Sequence, residues 1–225
     1  MNQAGRLLRY ASAWLHFGEL RKLSLDTCTL EQLVDALFGY ADGFFEPIQV
    51  KEEILEALRA VHALQPRYIV EIGTCCGGAL LLWSRVAHPE AVIVSIDLPG
   101  GEFGGGHSAL RVPLIRRLGL PKQRIHLIRG DSHQPATLEK TRQFLGEHPA
   151  DFLFIDADHT EKGVRADYAM YGPLVRKGGI IGFHDIGIQN PEYGVRKLWA
   201  EISAGREHRA ILGKPLSYGI GLLYC

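Results

Sequence analysis

The sequence predicts a doubly wound α/β fold, in which helices cover both faces of a mostly parallel sheet. From Arg67 onward, short apolar runs alternate with amphipathic stretches of about ten to twenty residues. The runs are almost continuously apolar, as expected of strands buried on both faces. The chain ends in two apolar runs joined by a link too short for a crossover helix, which predicts an antiparallel hairpin.

Residues 1–65 are predicted to form a helical extension that serves as a substrate cap or a dimer face. Thr29 and Gln32 form a capping box, and Pro47 suits the first turn of a helix through IQVKEEILEALRAVHAL. The apolar residues near the N-terminus fall at helical spacing, which favours a core or interface face over a membrane anchor. They are Leu7, Leu8, Ala11, Trp14 and Leu15.

Residues 66–225 contain the predicted strands, and the whole chain is best treated as one domain. Five runs predict the parallel strands: RYIVEIG, AVIVSID, RIHLIRGD, DFLFIDAD and GGIIGFHD. The helix GALLLWSRVA follows the first of them. The closing runs HRAILG and LSYGIGLLYC flank a turn around Lys214 and Pro215.

The composition argues against several classes of partner. The 225 residues include 25 basic and 25 acidic side chains, so no net charge draws the chain to nucleic acid. The apolar N-terminal stretch is interrupted by charged residues and predicts neither a signal peptide nor a membrane span. The four cysteines have no disulfide or zinc spacing, which suggests reduced thiols and a cytoplasmic location. They are Cys28, Cys75, Cys76 and Cys225.

Acidic residues mark the ends of all five parallel strands. Ligands of an open parallel sheet bind beyond the carboxyl ends of its strands, so this series predicts a ligand site at that edge. The five acids are Glu71, Asp97, Asp131, Asp156 and Asp185.

A glycine turn follows the first strand, where a ligand would approach the backbone. Its spacing, from Gly73 to Gly77, is G-x-x-x-G. A dinucleotide fingerprint requires G-x-G-x-x-G, and Cys75 stands where its second glycine would be. The turn therefore argues against a nicotinamide dinucleotide.

Three motifs together resemble class I S-adenosylmethionine (SAM)-dependent methyltransferases, which have a Rossmann-like seven-stranded sheet. They are E-x-G-x-x-x-G after a buried strand, the acid ending the second strand, and G-D-S ending the third. The resemblance extends from about Gln49 to the C-terminus. It implies that the glycine turn packs against the methionine part of SAM, that Asp97 binds the ribose hydroxyls and that Asp131 lies near the adenine amino group. The implied cofactor residues are Glu71, Gly73, Thr74, Gly77, Asp97, Asp131 and Ser132.

The segment FIDADHT resembles the chemical site of catechol and macrolide-sugar O-methyltransferases. In those enzymes a metal-binding Asp, matched by Asp156, precedes a general base three positions later, which His159 matches. Asp185 matches their second aspartate ligand. His184 departs from the pattern, because it stands where the sugar enzymes have an acid, and its nitrogen would suit manganese or iron better than magnesium. Asp158 is a weaker candidate, either to orient His159 or to bind the metal.

The glycine-rich loop from Leu98 to Arg111 follows the predicted ribose acid and could close over SAM or substrate. Similar loops occur in bacterial methyltransferases of the macrolide-sugar and cephamycin-pathway type. Within the loop, His107 is expected to be a solvated histidine rather than a site residue.

The resulting hypothesis is an O-methyltransferase that uses SAM, with or without a divalent cation such as Mg²⁺ or Mn²⁺, to methylate a hydroxyl of a sugar or a natural-product alcohol or phenol. Its partner would be a small molecule, and a homodimer is left open. Two alternatives remain: a nicotinamide-dependent oxidoreductase on a similar sheet, and a SAM-binding module without catalysis.

Overall fold

A computed structural model describes residues 3–101, 106–109, 111–213 and 217–225. The strands are β1 (Tyr68–Ile72), β2 (Val92–Asp97), β3 (Arg124–Arg129), β4 (Ala150–Ile155), β5 (Val175–His184), β6 (His208–Ile211) and β7 (Ile220–Tyr224). The helices are α1 (Gln3–Lys22), α2 (Leu30–Phe38), α3 (Lys51–Leu64), α4 (Gly78–Val86), α5 (Val112–Ile115), α6 (Pro135–Leu145), α7 (Glu161–Tyr171) and α8 (Val195–Ser203). Short 3₁₀ helices span Tyr40–Gly43 and Gly172–Leu174.

The strands form one sheet in the order β3-β2-β1-β4-β5-β7-β6. β1 to β5 pair in parallel, and β7 pairs antiparallel with both β5 and β6. The predicted fold class and closing hairpin are thereby confirmed, although the turn around Lys214 and Pro215 lies outside the described residues. Strand order reverses between β1 and β4, which places a ligand crevice at their carboxyl ends.

Two apolar cores cover the two faces of the sheet, which explains why the strand sequences do not alternate with polar residues. Ile69 of β1 packs into one core with residues of α1 to α4. Its neighbour Val70 packs into the other core, with residues of α6, α7 and α8. Because helices α1 to α3 share a core with the strands, they are packed on the sheet rather than linked loosely to it.

The capping box of Thr29 and Gln32 is present at the start of α2, as predicted. The expected helix start at Pro47 is wrong, because α3 begins at Lys51 after the extended residue Val50. The segment that precedes α3 packs against Gly78, the first residue of α4. There a side chain on Gly78 would collide with the Phe45 carbonyl oxygen and the Pro47 ring. Residues 46–49 therefore form an irregular wall before α3, with bends at Ile48 and Gln49.

The described side chains of the apolar stripe predicted on the first helix lie outside its core face. Within the described side chains of α1, Ala13, Phe17 and Leu20 are the buried apolar ones. Trp14 and Leu15 are 43% and 81% exposed. The prediction that these two belong to a core face is wrong, and the interface alternative stays a prediction.

A buried acid on α3 fixes the closing hairpin. The Glu53 carboxylate accepts hydrogen bonds from Gly213 N (2.7 Å), Ser217 Oγ (2.6 Å) and Gly219 N (2.8 Å). These bonds hold the residues on both sides of the hairpin turn against the helix. Over the described part of the chain, no helix is both long and apolar enough to traverse a lipid bilayer.

Candidate active site

Two cavities open at the carboxyl ends of the parallel strands. The first, about 290 Å³, lies over β1 to β4, and the second, about 510 Å³, lies toward β5, β7 and the wall before α3. Both are lined by Gly73, Cys75, Asp156 and His159. A molecule in the first cavity would therefore meet a molecule in the second at this shared boundary.

The turn after β1 is built from backbone conformations that favour glycine. Gly73 has φ of +89° and Gly77 has φ of +88°. Gly73 also lies against the Asp156 carbonyl oxygen, where a Cβ atom would overlap it. Cys75 adopts φ of +45° without being glycine. Gly73 lines both cavities and Thr74 lines the second, whereas Gly77 lies outside both linings and forms the N-cap of α4.

Asp97, at the end of β2, ties the glycine turn to the loop that follows. Its Oδ2 accepts hydrogen bonds from Thr74 N (2.8 Å) and Cys75 N (2.9 Å), and its Oδ1 accepts one from Gly106 N (2.6 Å). The carboxylate also lines the first cavity. Asp97 thus organises the turn as well as facing the space predicted for the ribose.

Glu71 lies beneath the turn and lines neither cavity. Burial raises the pKa of Glu71 to about 8. Ser95 Oγ donates to its Oε2 at 3.1 Å. The predicted cofactor contact of Glu71 stays a prediction; in the structure it supports the turn from below.

His107 joins the same buried network, so its expected solvation is wrong. The side chain is fully buried, with Nε2 3.2 Å from Ser95 Oγ and Nδ1 3.2 Å from the Ile128 carbonyl oxygen. Burial also lowers the pKa of His107. The loop folds its histidine inward because Gly106 is fastened to Asp97. Residues 102–105 and 110 of the predicted closing loop lie outside the described residues.

Asp131 and Ser132 follow β3 and line the first cavity, on the side predicted for the adenine. The Asp131 carboxylate accepts hydrogen bonds from His133 N (2.8 Å) and Gln134 Nε2 (3.1 Å). The bond from Gln134 is the main reason that the pKa of Asp131 is lowered. An ionised acceptor thus faces this cavity.

The three predicted metal ligands converge at the ends of β4 and β5. Asp156, His184 and Asp185 each offer a ligand atom, and these atoms lie within 4.8 Å of one another. His184 Nδ1 lies 3.0 Å from Asp156 Oδ1 and 3.2 Å from Asp185 Oδ1. Burial alone would lower the pKa of His184, but the Asp156 carboxylate outweighs it and raises that pKa to about 9. The imidazolium therefore bridges the two acids in this structure.

His159 lies at the shared boundary of the cavities and pairs with Asp185. Its Nδ1 contacts Asp185 Oδ2, and the histidine side chain is partly buried. Burial lowers the pKa of His159, and the Asp185 carboxylate more than offsets this, so that the pKa is raised. Asp185 adopts a left-handed backbone with φ of +64°, which is unusual for a residue other than glycine.

Asp158, the weaker candidate partner, instead accepts a hydrogen bond from Thr160 N at 2.9 Å. Thr160 caps α7, with its hydroxyl oxygen accepting a hydrogen bond from Gly163 N at 3.0 Å. The structure therefore assigns the orientation of His159 to Asp185 and leaves Asp158 to shape the turn before the helix.

Three side chains that the sequence did not indicate complete the second cavity: Gln49, Tyr193 and Tyr218. Gln49 Nε2 donates to Asp156 Oδ2 at 2.5 Å. The Tyr193 ring lies 5.0 Å from that of His159, and Tyr218 lies edge-on to His184 at 5.8 Å. Only the fold brings these residues, from three distant segments, to one site.

A family model described as a methyltransferase domain matches residues 70–186, which contain the glycine turn and every predicted site residue. A protein of Sinorhizobium fredii (strain NBRC 101917 / NGR234), called uncharacterized protein y4gI, is 25% identical over 167 residues. The match covers 73% of this chain and 18% of that protein's length, so the chain spans only a small part of this relative.

Solved structures of methyltransferases share the fold. An O-methyltransferase from Bacillus cereus in complex with SAH has a TM-score of 0.57 at 20% identity, covering 89% of this chain and 100% of that one. The MycE methyltransferase of the mycinamycin biosynthetic pathway, in complex with Mg, SAH and mycinamycin VI, has a TM-score of 0.51 at 19% identity. That alignment covers 75% of this chain and 48% of MycE.

Proposed function

The chain belongs to the methyltransferase domain family, and from this premise we propose that it transfers a methyl group from SAM to a hydroxyl of a small molecule. The observation that carries the proposal is the His159–Asp185 pair at the boundary shared by the two cavities. A donor in one cavity and an acceptor in the other would meet beside this imidazole.

The first cavity is the proposed SAM site. Gly73 would approach the methionine part, Asp97 would accept from the ribose hydroxyls, and Asp131 with Ser132 would face the adenine. Thr74 lines the second cavity and would reach the methionine part only from that side. The carboxylates suit these roles because they accept hydrogen bonds and attract the cationic sulfonium. The B. cereus protein and MycE both hold SAH on the same fold.

Methyl transfer requires the acceptor oxygen to lie in line with the sulfur, opposite the departing thioether. An alcohol oxygen attacks poorly until its proton leaves, so a base is needed beside it. We assign that role to His159, whose Nδ1 is held by Asp185 and whose Nε2 would take the proton. The Asp185 carboxylate would then stabilise the imidazolium that forms.

Asp156, His184 and Asp185 fit a divalent cation once the imidazole gives up its extra proton, because the two carboxylates and the ring offer ligand atoms within 4.8 Å of one another. The buried His184 Nε2 has no hydrogen-bond partner among the described residues. The mixed oxygen and nitrogen donors suit Mn²⁺ or Fe²⁺ better than Mg²⁺. Such an ion would lower the pKa of an acceptor hydroxyl and hold a neighbouring one. MycE, which has the same fold, contains Mg.

The second cavity supports a small polar acceptor such as a sugar or a natural-product alcohol or phenol. Its volume of about 510 Å³ lies in the range of small-molecule sites. Asn190 offers hydrogen bonds on its wall, and Tyr193 and Tyr218 offer both hydroxyls and aromatic faces.

Methyl transfer from SAM to a panel of sugars, alcohols and phenols tests the proposal, with His159→Gln as the test variant. Loss of the base is expected to lower kcat by roughly 10²- to 10⁴-fold while SAH affinity stays close to that of the wild type. His16→Gln, on the exposed surface of α1, is the matched control and should keep full activity. Unchanged turnover in His159→Gln would remove the assigned base.

The same assay after treatment with a chelator tests the cation. Metal assistance predicts a slower reaction that Mn²⁺ or Mg²⁺ restores. An unchanged rate would remove the metal from the proposal and leave methyl transfer in place.

A further inference from the structure

A second histidine–aspartate pair, distinct from His159 and Asp185, lies behind the first cavity. His133 lines that cavity, and its Nε2 lies 3.3 Å from Asp167 Oδ1 on α7. Asp167 is fully buried, and neither of its carboxylate oxygens has a hydrogen-bond partner among the described residues. A buried carboxylate is strongly destabilising unless a cation pairs with it. The His133 ring is placed to be that cation.

Helix α7 also contacts the turn from Asp131 to His133 at a second residue, Ser132. Tyr171 Oη, four residues after Asp167, donates to the Ser132 carbonyl oxygen at 2.8 Å. Two consecutive residues after Asp131 are therefore anchored by one face of one helix.

The anchored turn in turn positions Asp131. His133 N donates to Asp131 Oδ1 at 2.8 Å, so a shift of His133 would move the carboxylate that faces the cavity. Asp167 thus acts on the cavity through His133, without lining the cavity itself.

Three carboxylates face the His133 ring: Asp131 on its own loop, Asp158 on the loop after β4, and Asp167 on α7. Asp167 is the largest cause of the raised pKa of His133, followed by burial, which opposes the rise.

We propose that Asp167 is a positioning residue for the cofactor, which anchors His133 on the cavity wall and so keeps the turn from Asp131 to His133 in the shape that binds the adenosyl group. This inference rests on the proposed SAM site. It adds a residue from outside both cavities to the determinants of cofactor affinity.

The pair makes cofactor affinity depend on pH in a defined direction. Because Asp167 raises the pKa of His133, the ring is charged and the pair intact at lower pH, and the pair is lost as pH rises through that raised pKa. SAH affinity should therefore decrease as pH increases through the pKa of His133. Asp167→Asn removes the carboxylate, so the charge pair forms at no pH and this fall should be absent from the variant. Near pH 7, the variant should bind SAH roughly threefold to tenfold more weakly than the wild type.

The experiment is calorimetric titration with SAH between pH 5.5 and pH 8.5, on the wild type, Asp167→Asn and Tyr171→Phe. Tyr171→Phe is the matched control, because it removes the other anchor from the same helix without touching the charge pair. It should weaken SAH binding by a similar factor at every pH. An NMR titration of the His133 ring, assigned by its absence in His133→Gln, follows the charge directly.

The expected result is that the SAH affinity of Asp167→Asn lacks the wild-type fall with pH, whereas that of Tyr171→Phe falls with the wild-type midpoint. The same fall in SAH affinity with pH in the wild type and in Asp167→Asn would overturn this inference and leave the proposed function in place. Absence of SAH binding by the wild type at every pH would instead contradict the proposed function. If Asp167→Asn fails to fold, the NMR titration of the wild type decides, since a His133 midpoint at or below about 6.5 overturns the pair.

Discussion

At the scale of single residues, the fold uses some acids for purposes that their positions at strand ends do not reveal. Asp97, Asp131, Asp156 and Asp185 all face a cavity, as the strand ends predict. Glu71 does not, because it is one residue short of the end of β1 and points into the layer beneath the turn.

Glu71→Gln is predicted to change how stability depends on pH. The pKa of Glu71 is raised from 4.5 to about 8 by burial, so between these values the folded state holds a proton that the unfolded state has released. The wild type should therefore lose stability relative to the variant as pH rises, by roughly 1.4 kcal/mol per pH unit. Urea denaturation at pH 5, 6, 7 and 8 measures the difference.

The control for this prediction is Glu147→Gln, at an exposed position after α6. The free energy of unfolding of this variant should change with pH in the same way as that of the wild type. If the stability of Glu71→Gln also follows that of the wild type at every pH, then Glu71 is ionised in the folded state, and the assignment of a neutral buried carboxyl is wrong.

The sequence alone could indicate that the acids, His159 and His184 belong to the site, because each lies at a strand end or in the turn after it. It could not indicate which of these side chains pair with one another. That Asp185, rather than Asp158, holds His159 depends on the left-handed backbone at Asp185 and on the neighbouring placement of β4 and β5. Residue identity likewise could not indicate the burial of His107, because that burial depends on how a long loop packs.

At the scale of elements, a sequence pattern predicts a helix end correctly where the contacts that set this end are local. The Thr29 capping box satisfies helix N–H groups within one turn, so its sequence pattern suffices. The start of α3 is set instead by the packing of residues 45–47 on Gly78, a contact between distant segments. A proline that suits a first helical turn could not indicate this.

Glu53→Gln is predicted to loosen the closing hairpin from α3. A buried carboxylate there accepts three hydrogen bonds, and an amide has one acceptor oxygen and would direct N–H groups toward other donors. We expect a loss of about 2 to 4 kcal/mol in the free energy of unfolding. Chemical denaturation measures it.

Its neighbour Glu52→Gln, on the exposed side of the same helix, is the matched control and should change stability little. Equal stability of the two variants would show that the three hydrogen bonds to Glu53 do not hold the hairpin. Because Tyr218 lies between two of the anchored residues, Glu53→Gln should also disturb the wall of the second cavity.

At the scale of the whole molecule, the strand order accounts for the location of both cavities. The reversal of strand order between β1 and β4 separates the crossover helices and leaves a crevice there. The loops after β1 and β4 supply Gly73, Asp156 and His159, which line the boundary between the two cavities. The sequence predicted the sheet because strand burial leaves a continuous apolar signature. It could not predict the second cavity, since the residues before α3 and the hairpin at the far end of the chain meet only in the folded state.

The central claim is that the first cavity binds an adenosyl sulfur cofactor rather than a nicotinamide dinucleotide. Calorimetric titration of the wild-type chain with SAH and, separately, with NADH in the same buffer tests it most directly. The account predicts saturable binding of one SAH per chain and no heat of binding with NADH. Saturable NADH binding without SAH binding would contradict it.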